Sequence, residues 1–267
     1  MESEELNARA QTTARFAWRC AAASDVGCVR AQNEDAYRAD QECGLFVVAD
    51  GMGGHAAGEV ASALAVRAAA EGLATLSPSA SRDEARAHVR GAIDDANQAI
   101  LIEGRARPEH TGMGTTATIL LLSPRGWYVV GHVGDSRAYL ARDGEVIRLT
   151  EDHTYVQELV NEGRITEEQA RTHPRASLLT RALGTTGSVS VDTFDGELQP
   201  GDRFLIASDG LTTMLPEERI VALMQESPAP AEIVSKLIEE ANAAGGADNT
   251  TAIVVDVIVE QGADAEA

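Results

Sequence analysis

Short apolar runs alternate with helical stripes along the chain. Residues 45–49, 115–122, 127–133, 203–207 and 251–259 are apolar and rich in β-branched side chains, which predicts strands. Residues 16–23, 26–30 and 189–194, and a short stretch opening at Tyr37, predict further strands. Segments 138–142 and 145–149 flank Asp143-Gly144, a two-residue hairpin signal, and together with 115–122 and 127–133 they predict an antiparallel meander. Helical spacing appears at Val60, Leu64, Ala68 and Leu73 within 56–76. It appears again at Ala85, Val89, Ala92, Ile93, Ala96 and Ile100, after a capping box at Ser81-Arg82-Asp83-Glu84. Residues 154–162, a short piece begun by a second capping box at 166–169 and broken at Pro174, and 177–183 predict three more helical segments. Two others are predicted near 216–226 and 231–243. Strand runs bracket two helix-rich blocks, so the pattern predicts an α+β architecture of two packed sheets with helices outside.

Charge and cysteine content narrow the chemistry. The 267 residues carry 22 basic and 42 acidic side chains, a formal net charge of −20. That balance argues against nucleic acid and against anionic membranes, both of which need a basic footprint. Cys20, Cys28 and Cys43 are odd in number and form no Cys-x-x-Cys pair, which excludes a disulfide framework and a zinc cluster and favours a cytoplasmic location. No stretch reaches the length of a membrane span, and residues 1–11 lack the apolar centre of a signal peptide.

Four aspartates recur in one context. Asp50, Asp135 and Asp209 each follow a predicted strand, Asp248 precedes one, and each has a glycine within two residues. Asp50 enters the glycine-rich turn Gly51-Met52-Gly53-Gly54-His55, where it reads equally as a helix cap or as a ligand at a sheet rim. If the strand ends share one rim, four carboxylates there repel one another and resist ionising together. Divalent cations relieve that repulsion, and an all-oxygen set favours Mg²⁺ or Mn²⁺. Two such ions lower the pKa of a shared water and clamp a phosphoryl group. An arginine is then wanted for the other phosphate oxygens, and Arg30, just before Asn33-Glu34-Asp35, is placed for it. In this acidic chain, residues 169–187 hold Arg171, His173, Arg175 and Arg181 and no acid, which reads either as a solvated helix face or as a lid over an anionic substrate.

The chain resembles the metal-dependent Ser/Thr protein phosphatases of the protein phosphatase 2C type, in particular the bacterial members. The matching motifs are Val29-Arg30-Ala31-Gln32-Asn33-Glu34-Asp35, Val48-Ala49-Asp50-Gly51-Met52-Gly53-Gly54-His55, Gly112-Met113-Gly114-Thr115-Thr116, Val133-Gly134-Asp135-Ser136-Arg137, Ala207-Ser208-Asp209-Gly210 and Asp248-Asn249-Thr250, in the family's order and spacing over residues 16–259. The resemblance implies a four-layer αββα sandwich with the metal cleft at one end. It implies that Asp50 bridges two Mg²⁺ or Mn²⁺ ions, that the Gly51 carbonyl binds one, and that Asp209 and Asp248 complete the other. Asp135 with Asp209 matches a third, weaker metal site. Arg30 matches the phosphate-binding arginine, and Glu34 and Asp35 match acids that hold metal-bound waters. Residues 153–186 match a mobile flap, with Arg171, Arg175 and Arg181 as substrate contacts.

Met52 stands where some relatives have a histidine proposed as general acid, so the leaving-group proton is expected from a metal-bound water. His55 reads as packed at the helix start and His132 as structural. The expected activity is hydrolysis of phosphoserine and phosphothreonine in proteins by a metal-bridging hydroxide, opposing a Ser/Thr kinase. A phosphatase of small phosphate esters and a non-catalytic phosphoprotein-binding module are the rivals. The expected organisation is one domain over 16–260 between tails at 1–15 and 261–267, acting as a monomer.

Overall fold

The structure is a computed structural model that describes residues 15–53, 57–226 and 229–260. Eleven strands form two antiparallel sheets among the described residues. The first has the order β1 (Arg15–Asp25), β11 (Thr250–Glu260), β10 (Arg203–Ala207), β7 (Arg137–Arg142), β8 (Glu145–Arg148). The second runs β2 (Asp35–Asp40), β3 (Leu45–Met52), β5 (Ala117–Ser123), β6 (Trp127–Val133), β9 (Asp192–Glu197), with β4 (Gly114–Thr115) also pairing with β3.

Period-two alternation explains how four layers arise from these strands. Phe46, Val48, Leu120, Leu122 and Val130 of the second sheet meet Leu140, Phe204, Ile206, Ile253 and Val255 of the first in a core between the sheets. The alternate residues Val47, Ala49, Ile119, Leu121 and Val129 face outward and are covered by α1 (Ala57–Leu73) and α2 (Arg82–Ala106). Leu205, Ala207, Ala252 and Val254 face the other way, under α5 (Asp209–Met214), α6 (Glu217–Gln225) and α7 (Pro230–Ala243). Both faces of each sheet are buried, so the strands read as continuous apolar runs rather than as alternating ones. Each fully buried Leu, Ile, Val or Phe contributes roughly 1.5–3 kcal/mol, which makes this double coverage the main stabilising term.

The α+β sandwich is as expected, but four local expectations change. Residues 26–30 form a turn rather than a strand, because β1 runs unbroken to Asp25 and the chain then reverses at Gly27, φ 78°. Residues 177–183 are not helical, because Leu179 and Leu183 bridge to Thr154 and Thr115 as extended backbone. The expected meander is split between sheets: β5 and β6 pair in one and β7 and β8 in the other. Gly134, at φ 113°, turns the chain across, and the Asp143-Gly144 hairpin then forms as expected with both residues at positive φ. Asp209 opens a short helix, α5, that the apolar pattern is too brief to reveal. Residues 1–14 of the tail expected at 1–15, the tail expected at 261–267 and His55 lie outside the described residues, and Arg15 belongs to β1.

Candidate active site

The register brings strand ends of both sheets to one rim. Asp25 pairs with Thr250, Ala207 with Ala252 and Arg137, and Asp35 with Asp50. Asp50 lies inside β3, two residues before the strand ends at Met52, and is fixed by its backbone: its amide donates to Thr116 Oγ1 at 2.9 Å, and its carbonyl accepts from the Thr115 hydroxyl at 2.8 Å. α1 comes unusually close here because its inward positions are small, among them Gly58, Ala61 and Ser62. A Cβ at Gly51 would stand 2.1 Å from the Gly58 carbonyl oxygen and 2.6 Å from that of Glu34, so only glycine fits.

A cleft of about 570 Å³ opens at this rim, lined by Arg30, Glu34, Asp50, Gly51, Asp135, Asp209 and Asp248 among others. All four aspartates that share the strand-end context are therefore brought together. Burial, then Asp209, Asp35 and Asp135, hold the Asp50 carboxyl well above the usual carboxylate range. Asp135 is raised well above it too, by burial and then by Asp209 and Asp152. Asp209 is raised by burial, with Asp248 adding to the effect.

Arg30 reaches the rim from the turn between β1 and β2 and donates from Nη2 to Asp248 Oδ2 at 2.6 Å. Both side chains are substantially exposed, so this pair contributes little to stability and leaves Arg30 accessible. Glu34 lies in the cleft wall, its carboxyl raised by burial against the lowering effect of Arg30. Asp35 sits behind Asp50. Its Oδ2 accepts from Ser208 Oγ and Thr251 Oγ1, each at 2.7 Å, while Oδ1 is buried with no partner among the described residues. Burial raises its pKa to about 7 despite those two bonds.

These features fit hard divalent cations: an all-oxygen donor set, carboxyls that resist ionising side by side, and an orphaned buried carboxylate oxygen. Among the described residues no three acidic, histidine or cysteine side chains form a closed cation cage. Ions held here would take the rest of their shell from carbonyl oxygen and water, which is the habit of Mg²⁺.

Residues 153–186 cover one side of the cleft through Ser177 and Leu179. The three arginines singled out in this segment do not line it. Arg171, at the end of the short helix α4 (Glu167–Arg171), donates to the Leu215 carbonyl at 3.3 Å and borders an adjoining cavity that also reaches Asp135 and Asp209. Arg175 stacks over the Tyr155 ring at 5.7 Å, and Arg181 pairs with Asp192 at 2.8 Å. His132 is wholly buried, bonded to Thr118 and the Glu151 carbonyl, and burial lowers its pKa to about 3.

Sequence reasoning gave no role to Asn249. Its Nδ2 donates to the Val26 and Gln32 carbonyls at 3.0 and 2.9 Å, and its Oδ1 accepts from the Glu34 amide at 2.8 Å. It thereby staples the turn that carries Arg30. The position was visible inside Asp248-Asn249-Thr250, but its partners lie more than two hundred residues away in sequence.

The family model for protein phosphatase 2C matches residues 29–241. The chain belongs to the protein phosphatase 2C family. Within that family it is 45% identical over 240 residues to the serine/threonine protein phosphatase PstP of Mycobacterium tuberculosis, a match covering 90% of this chain and 45% of PstP. The chain thus spans about half the length of that relative. It is 37% identical over 246 residues to the serine/threonine phosphatase stp of Listeria monocytogenes, covering 91% of this chain and 97% of that one. Among solved structures, the catalytic domain of PstP in complex with two manganese ions superposes with a TM-score of 0.81 at 42% identity, covering 91% of this chain and 99% of that one. This 2C-type fold contains no helix, among the described residues, long and apolar enough to cross a membrane.

Proposed function

We propose that this chain hydrolyses phosphoserine and phosphothreonine esters in proteins, with two Mg²⁺ or Mn²⁺ ions as cofactors. The observation that carries the reading is the meeting of Asp50, Asp135, Asp209, Asp248 and Arg30 in one cleft. Asp50, Asp209, Asp248 and the Gly51 carbonyl would hold the two ions, and Asp135 with Asp209 a weaker third. Bound there, the ions supply Lewis-acid polarisation of a phosphoryl group and a water nucleophile at neutral pH. Arg30 orients the non-reacting phosphoryl oxygens through its planar fork. Glu34 and Asp35 hold water at the rim by accepting its hydrogen bonds. Met52 has no proton to give, so protonation of the departing serine or threonine oxygen falls to water in the cleft.

A kinase that phosphorylates serine and threonine must supply the substrate. The free cysteines Cys20, Cys28 and Cys43 support a cytoplasmic setting, and the core shared between the two sheets supports a single domain over 16–260, with a monomer as the proposed state. Phosphate release from a phosphothreonyl peptide, with Mn²⁺, with Mg²⁺ and with chelator, tests the proposal. Release is expected only with metal, and Asp50→Asn is expected to lower it by more than about 100-fold. Turnover of small phosphate esters but not of the peptide would shift the substrate class. A folded, metal-loaded chain inactive on both would be a binding module.

A further inference from the structure

A buried histidine outside the carboxylate set joins the cleft to the root of the segment that covers it. His153 precedes α3 (Tyr155–Asn161) and its side chain is 1% exposed. Its ring Nδ1 accepts from the Gly134 amide at 3.0 Å, and its own amide donates to the Gly134 carbonyl at 2.8 Å. It therefore grips both backbone groups of the residue before Asp135. Because the Gly134 N–H can only donate, Nδ1 must be bare, and the neutral ring carries its proton on Nε2. Nε2 then donates to Asp192 Oδ2 at 3.0 Å, and Asp192 Oδ1 accepts from Arg181 at 2.8 Å. The His153 carbonyl accepts from Thr180, and Thr154 bridges Leu179, so both legs of the covering segment meet at this residue.

The loop that His153 grips has no slack on its other side. Ser136 Oγ bonds Thr116 Oγ1, which accepts from the Asp50 amide. A Cβ at Gly134 would stand 2.5 Å from the Thr116 side chain. Asp135 is thus held between two anchors, one leading to Asp50 and one to His153.

We propose that His153 is a positioning residue: it sets the Gly134-Asp135 loop against Asp50 and Asp209, and Asp192 and Arg181 fix the ring that does so. This rests on the phosphatase reading only for the role of Asp135. The same chain of bonds makes the root of segment 153–186 and the Asp135 loop move together.

Two near-isosteric substitutions separate this from simple packing. In His153→Asn the amide oxygen takes the place of Nδ1 and keeps the Gly134 bond. In His153→Gln the amide takes the place of Nε2, keeping Asp192 and losing Gly134. With phosphothreonyl peptide and with p-nitrophenyl phosphate, His153→Gln is expected to lower kcat about 10–100-fold with little change in KM, and His153→Asn to stay within about 3-fold of wild type. Amide hydrogen exchange of residues 134–136, in chelator, is expected to quicken most in His153→Gln and less in His153→Asn, which loses only the Asp192 bond. Asp192→Ala, at a more exposed position, is expected to quicken the same exchange and lower kcat less, and it decides the matter if both His153 variants unfold. Equal kcat in the Asn and Gln variants, or unchanged exchange at 134–136 in His153→Gln and Asp192→Ala, overturns the proposal. Inactivity of wild type on both substrates would sink the phosphatase reading while the exchange contrast still judges His153.

Discussion

Asp35 Oδ1 is a buried carboxylate oxygen without a partner among the described residues, an arrangement that destabilises a folded chain unless something else answers it. Its carboxyl is raised from 3.8 to about 7, first by burial. Between those values the metal-free folded chain holds a proton that the unfolded chain has released. Unfolding then releases protons, so stability falls as pH rises through this window and stays low above it. The raised carboxyls of Asp50, Asp135 and Asp209 act in the same direction. Melting of the metal-free protein is expected to fall from about pH 5 to about pH 8, to fall less in Asp35→Asn, and to recover at about pH 8 when Mn²⁺ is added. A calorimetric pH series with chelator and with metal checks this. Gly51 makes a second residue-scale prediction. Gly51→Ala is expected to destabilise by at least about 1–3 kcal/mol in urea unfolding, because backbone on two sides would have to move.

At the scale of elements, α2 is held by its own sequence and the Arg30 turn is not. The Ser81 hydroxyl accepts from the Glu84 amide, and the Ser81 amide donates in return to the Glu84 carboxylate at 2.7 Å. Ser81→Ala is expected to cost about 1 kcal/mol of stability and to leave phosphatase kinetics unchanged, since the cap is remote from the cleft. The turn of residues 26–34 depends instead on Asn249, through three hydrogen bonds. Asn249→Ala is expected to raise KM for a phosphothreonyl peptide by about 10-fold or more, because a loosened Arg30 loses its preorganised grip on the phosphoryl oxygens. Matched steady-state kinetics of the two variants test the contrast.

For the whole molecule, the net charge of −20 surrounds a cleft proposed to receive an anion. Long-range repulsion slows the approach of acidic substrates, and salt screens it over about 8 Å at physiological ionic strength. At saturating metal, kcat/KM for an acidic phosphopeptide is expected to rise between about 10 and 150 mM salt, and for a lysine-flanked one to fall. Equal salt dependence for the two peptides would remove long-range charge from the account. Strand ends of both sheets and the Arg30 turn line the cleft, with Ser177 and Leu179 of segment 153–186 beside them.

The sequence by itself determined what local patterns encode. The apolar runs at 45–49, 127–133, 203–207 and 251–259, the helical stripes at 60–73 and 85–100, the Ser81 and Thr166 caps and the Asp143-Gly144 hairpin all depend on neighbours a few residues apart, and each appears in the structure. The motifs carried the family and named the carboxylates, because glycine beside aspartate at strand ends is itself a local signature. What lay between sheets was not readable. A strand cannot show which sheet it joins, so β7 and β8 read as continuing β5 and β6 until Gly134 carried them across. Apolar spacing alone gave residues 177–183 a helix, where bridges to Thr154 and Thr115 impose extended backbone. The support of the site was hidden for the same reason. Asn249 under Arg30, Ser208 and Thr251 on Asp35, and His153 on Gly134 act across long sequence separations, and only the register of two stacked sheets brings those atoms within hydrogen-bonding distance.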